Sequence, residues 1–88
     1  MKVKPNRYYK ELYIIENIKS YYFYTTDTKC VYEIAYLYND TQLVKYNTPI
    51  NCGSIKEWQT RREWQEDTNT HGYNVKEISK EDLFLELL

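Results

Sequence analysis

KCVYEIAYLYNDTQLVKYN, residues 29–47, is the stretch on which the fold turns. Half of residues 29–38 are β-branched or aromatic, the residue types that suit a pleated, half-buried surface. Strict alternation puts Cys30, Tyr32, Ile34, Tyr36 and Tyr38 on one face, and Val31, Glu33, Ala35 and Leu37 on the other. Asn39-Asp40 follows; both residues tolerate positive φ and make a hairpin turn. TQLVKYN then returns as the partner strand. This predicts an antiparallel hairpin, and neighbouring segments extend it.

Upstream, SYYFYTT (20–26) has the highest β-propensity in the chain, and Asp27-Thr28 supplies a turn. YYKELYIIENIK (8–19) fits a helical stripe or a two-sided strand. The β-favouring residues run straight on, so the strand reading is preferred. Residues 8–47 thus form a β-meander of three or four strands. Residues 1–7, interrupted by Pro5 and Asn6, read as a flexible basic arm. Downstream, Pro49 and Gly53 break the chain, and Ser54 with Glu57 forms a capping box opening a helix over 54–67. Thr68 to Gly72 ends it, and 73–78 is a short strand. Ser79, Asp82 and the Ile78/Leu83 staple start a C-terminal helix over 79–88. That helix is nearly all apolar, so it docks on the sheet or on a second copy. The fold class is α+β: one domain, 1–88, with a small antiparallel sheet of four to five strands, one central helix and one C-terminal helix.

Tyrosine is the compositional signature, at 11 of 88 residues, against two Phe and two Trp. Tyr buries a ring but keeps its hydroxyl wet or hydrogen-bonded, which suits amphipathic sheet faces. Net charge is −1, without the positive excess usual in nucleic-acid-binding domains. The charge is uneven. Lys2, Lys4, Arg7 and Lys10 make the start basic, whereas Glu77, Glu81, Asp82 and Glu86 make the end acidic, so the two ends can attract each other or each can serve a different partner. The first residues lack the apolar core of a secretory signal, and no run reaches membrane-spanning length. Cys30 and Cys52 therefore read as free thiols in the cytoplasm of a host cell. With His71 they lack metal-ligand spacing, so neither a metal nor a cofactor is expected. The scarcity of Ala, with abundant Lys, Asn, Ile and Tyr, is the skew of AT-rich phages and mobile elements.

Both tryptophans lie in a repeat, Glu57-Trp58-Gln59 and Glu63-Trp64-Gln65. On one helix, six residues place them roughly 120° apart, so both cannot centre one stripe. Trp58 then faces the core and Trp64 lies partly exposed. Arg61, three residues from each, can stack on either indole. No catalytic constellation or glycine-rich phosphate loop is present in the sequence. These features predict a non-enzymatic protein-binding module, encoded by a phage or mobile element. It docks on a larger host protein, possible targets including nucleic-acid enzymes, and modulates or inhibits it. The contact set is Trp64, Arg61, Arg62, Gln65, Tyr36 and Tyr38. One alternative is a single-stranded nucleic-acid binder using Tyr22 and Tyr24 as platform and Lys2, Lys4, Arg7 and Lys10 as rim. The other is a homodimeric structural component joined through the C-terminal helix.

Overall fold

A computed structural model describes residues 2–61, 64 and 73–88. Five strands, β1 (Tyr8–Ile15), β2 (Ile18–Thr26), β3 (Cys30–Tyr38), β4 (Gln42–Ser54) and β5 (Tyr73–Ile78), form one antiparallel sheet in the order β4-β3-β2-β1-β5. Two short helices complete an α+β fold, α1 (Ile55–Gln59) and α2 (Lys80–Glu86). Residues 8–15 are strand, as their neighbours implied. The β1–β2 turn places Glu16 and Asn17 at φ 49° and 67°, and Asn39 and Asp40 turn at φ 52° and 59°. Such paired left-handed residues match the twist of a tight hairpin.

Three expectations are corrected. Pro49 and Gly53 do not break the chain, because β4 runs through both to Ser54 along an edge of the sheet, where proline's missing N–H is tolerated. Gly53 sits at φ 129°, a backbone conformation that side-chain-bearing residues rarely adopt, so glycine is what lets β4 lead into α1 here. The helix predicted over 54–67 ends at Gln59. Ser54 caps it by accepting from the Glu57 N–H, as read. Thr60 then donates both its N–H and its hydroxyl to the Glu57 carbonyl, and Arg61 N bonds Trp58 O. These three-residue closures tighten the chain into a turn. Residues 62, 63 and 65–72, including the Thr68–Gly72 turn, lie outside the described residues. Finally, residues 2–7 are tied down. Val3 is buried and its N–H donates to Gln59 Oε1 at 2.7 Å, while Thr26 Oγ1 bonds both Arg7 N and Lys4 O.

The sheet has two apolar faces. A bulge at Ile34 shifts the β3 register between Glu33 and Ala35. Alternation therefore resets: Val31 and Glu33 share a face with Tyr36 and Tyr38, while Ile34 joins Ala35 and Leu37 on the other. On the first, the tryptophan face, Val3, Tyr9, Tyr24, Val31, Trp58 and Trp64 form one core. On the second, the helix face, Phe23, Ala35 and Leu83 form another, with Ile78 and Leu87 against it. Ile78 packs against the cluster that holds Leu83, the neighbourhood a staple needs, and Ser79 Oγ accepts from Asp82 N. Two lysines hold α2 in place. Lys10 pairs with Glu86 at 2.7 Å, and Lys45 donates to the Leu87 carbonyl at the helix C-terminus.

Trp58 and Trp64 do not diverge on one helix. Both are buried, at 5% and 1% exposure, and meet edge-to-face with centroids 4.7 Å apart. They differ at the indole nitrogen. Trp58 Nε1 donates to Cys52 O at 3.0 Å, whereas Trp64 Nε1 has no partner among the described residues. Replacing Trp58 by Phe loses a hydrogen bond and orphans a carbonyl; replacing Trp64 by Phe loses only volume. Trp58→Phe should cost about 1 kcal/mol more than Trp64→Phe in urea unfolding. A larger loss at Trp64 would contradict the assignment.

Candidate functional site

Among the described residues, the cover on the tryptophan face lies over one half of it. Residues 2–7, α1 and Trp64 close one half over Tyr9 and Tyr24. Tyr9 stacks on Trp64 at 5.2 Å, and Tyr24 touches both indoles. Tyr24 is itself buried, and its hydroxyl donates to the buried Glu11 at 2.9 Å. Burial and the Glu11 carboxylate push the Tyr24 phenol far above its ordinary pKa, so it remains the donor.

Along the other half runs a row of tyrosines. Tyr22 and Tyr36 are cross-strand partners with centroids 4.9 Å apart. Tyr13 meets Tyr22 edge-on at 6.4 Å, and Tyr38 lies 6.3 Å from Tyr36. Tyr13, Tyr22 and Tyr36 are half-buried, and Tyr38 is 40% exposed. Glu33 lies beside them and accepts from Tyr46 Oη at 2.5 Å. That bond, more than burial, pushes the Tyr46 phenol up to about 12. Burial raises Tyr22, with smaller contributions from Tyr36, Glu33 and Glu11. The result is a rigid aromatic surface with carboxylates at its base.

The strand pairings separate charge by sign. Glu11, Glu33 and Glu77 point to the tryptophan face, while Lys10, Lys19, Lys45 and Lys76 point to the helix face. These are all the charged residues of the five strands. Position-two periodicity makes this possible: Lys10-Glu11 and Lys76-Glu77 are adjacent in sequence and opposite in space.

The sequence-predicted residues scatter. Trp64 is a core side chain, which corrects its expected exposure. Arg61 is exposed and stacks on Trp58 at 4.1 Å, one of the two indoles offered to it. Tyr36 and Tyr38 belong to the open row, while Arg62, Gln65 and His71 lie outside the described residues. The nucleic-acid set divides. Tyr24 is buried, Tyr22 faces one side, and Lys10 faces the other, above the Tyr21 ring at 4.5 Å. Arg7 pairs with Glu77 at 3.4 Å, so the basic start and acidic end do meet. Lys2 and Lys4 are exposed. Sequence reasoning missed Glu33, Glu11, Tyr13 and Tyr46; only the register with the Ile34 bulge brings them together. Cys30 and Cys52 are free thiols, and no helix among the described residues is long and apolar enough to cross a membrane.

The raised phenols give a pH signature. A phenol whose folded pKa exceeds its unfolded value stabilises the fold fully below about pH 10, and this is lost as pH rises through the folded value. Tyr46 and Tyr32 both lie at about 12, the latter through its hydrogen bond to Asp27, and Tyr24 lies higher. Absorbance at 295 nm should therefore show at least these three protonated at about pH 11 while the fold persists. One transition of all eleven tyrosines near pH 10 in the folded chain would contradict the geometry.

Comparison of the chain with protein-family models, with curated proteins and with solved structures returns no match in any of the three.

Proposed function

We propose that this chain is a protein-binding module that engages a larger protein through the open tyrosine row. The observation that carries the reading is the row of Tyr22, Tyr36 and Tyr38 on a half-face that the other described residues leave partly exposed, each ring in contact with the next. Tyrosine offers large amphipathic contact area with few rotatable bonds, and rings already in place lose little freedom on binding. Arg61 adds an exposed guanidinium to the same face at its stack on Trp58. Trp64 is buried in the closed half, against Tyr9, Tyr24 and Trp58, and takes no part in the contact surface.

The role assigned to the module is to modulate or inhibit its partner without catalysing a reaction, within a host cell. The phage or mobile-element origin rests on composition alone. Single-strand binding is less well supported, because a stacking platform needs a basic rim and the lysines of the strands are on the opposite face. Homodimerisation has its own supporting observation. Phe84, Leu85 and Leu88, on α2 and just past its end, are 69%, 66% and 80% exposed.

One capture experiment separates these readings. Tagged wild-type chain, a Tyr36→Ser/Tyr38→Ser variant and a Leu85→Ser variant are each incubated with host lysate, untreated and nuclease-treated, and with untagged chain. The expected outcome is a stoichiometric protein captured by wild type and Leu85→Ser but lost on the double tyrosine variant. Capture of the untagged chain, lost on Leu85→Ser, would replace this reading with the homodimer. Partners that vanish with nuclease treatment would replace it with nucleic-acid binding.

A further inference from the structure

We propose that the open half of the tryptophan face receives a cationic side chain, an arginine or lysine carried by the partner protein. The inference rests on the protein-binding reading above and adds the chemistry of the contact.

Two of the elements that cover the sheet, α2 and residues 2–7, answer the sign of the face beneath. The helix face carries only lysines among its charged strand residues, and the acidic α2 lies on it, with Glu86 on Lys10 and the Leu87 carbonyl on Lys45. The tryptophan face carries only glutamates. Its covering elements bring arginines: Arg7 pairs with Glu77, and Arg61 stacks on Trp58. Among the described strand residues, the other half of this face keeps the same negative sign. Glu33 lies there with Tyr22, Tyr36 and Tyr46, and no strand in the sheet presents a lysine or arginine to this face among the described residues.

Each ring adds to the carboxylate. The face of a tyrosine is the negative end of its quadrupole and attracts a cation within about 6 Å of the centroid. Glu33 spends one acceptor site on Tyr46 and, as a carboxylate, has others. The chain already builds this type of contact once on its opposite side. There Lys10 Nζ lies 4.5 Å from the Tyr21 centroid and 5.9 Å from that of Phe23, while it pairs with Glu86 at 2.7 Å. A guanidinium stacked on Tyr22 and Tyr36 and directed at Glu33 would repeat that arrangement across the interface. Acidic or phosphate-bearing partners are disfavoured by the same carboxylates.

The test uses the full chain and four probes: the peptide acetyl-Gly-Gly-Arg-Gly-Gly-amide, its citrulline counterpart, its glutamate counterpart, and an oligothymidylate. Binding is followed by NMR through the tyrosine ring resonances. The arginine peptide should shift Tyr22, Tyr36 and Tyr38, and the neutral citrulline and acidic glutamate peptides should bind more weakly. Glu33→Gln and Tyr38→Ser should each weaken the arginine peptide by about two- to fivefold. Tyr38 is at the sheet margin, so its variant keeps the test open if Glu33→Gln perturbs the fold, which circular dichroism reports. Equal binding of the citrulline peptide, absence of shifts with the arginine peptide, or shifts confined to the helix face would overturn the inference. Tyrosine shifts produced by oligothymidylate alone would overturn it too. A partner captured through Tyr36 and Tyr38 despite any of those results would leave the protein-binding reading standing and remove only its cationic chemistry.

Discussion

A phenol and a carboxylate share the buried middle of the tryptophan face, and the rest of the structure is arranged around their bond. Glu11 is 7% exposed and Tyr24 5%, and the 2.9 Å contact between them satisfies groups that would each be costly to bury alone. The pair also fixes register. Tyr9 opposes Tyr24 and Glu11 opposes Tyr22 across β1 and β2. A slip of one residue would turn Glu11 toward Phe23 and Leu83 and turn Lys10 into the aromatic core. With that register set, Trp58 and Trp64 close over Tyr9 and Tyr24, and residues 2–7 fold back on Gln59 and Thr26.

The same register creates the surface to which function is assigned. Charges of one sign fall on each side of the sheet, and α2 and residues 2–7 carry the opposite sign to the face they cover. On the tryptophan face α1 is only one turn long and ends where Thr60 diverts its own hydrogen bonds to Glu57. The part of that face the described residues leave exposed is aromatic, with Glu33 at its base. These properties together favour a protein surface bearing positive charge.

Much of this was legible in residue order. The 29–47 hairpin, the Asn39-Asp40 turn and the Ser54 and Ser79 caps follow from local chemistry, and each is present. So is the attraction between the basic start and acidic end, seen in Arg7–Glu77 and Lys10–Glu86. What local chemistry did not reveal were long-range effects. The bulge at Ile34 moves Val31 and Glu33 to the side of Tyr36, against simple alternation. The helix after Ser54 stops early despite favourable residues beyond Thr60, so the geometry inferred for the tryptophan repeat did not apply. Trp64 is buried because the turn at Arg61 brings it onto Trp58. The Lys10-Glu11 and Lys76-Glu77 pairs hinted at separation by sign, but only strand pairing shows that every charged strand residue obeys it.

The division of one sheet face into a closed aromatic core and an open tyrosine row is the central claim. Limited nitration with tetranitromethane, with each modified tyrosine located by peptide mass spectrometry, tests it most directly. Tyr38 and Tyr36 should react first, and Tyr9 and Tyr24 should stay unmodified until the chain unfolds. Nitration of Tyr9 or Tyr24 as fast as Tyr38 in the folded protein would contradict the account.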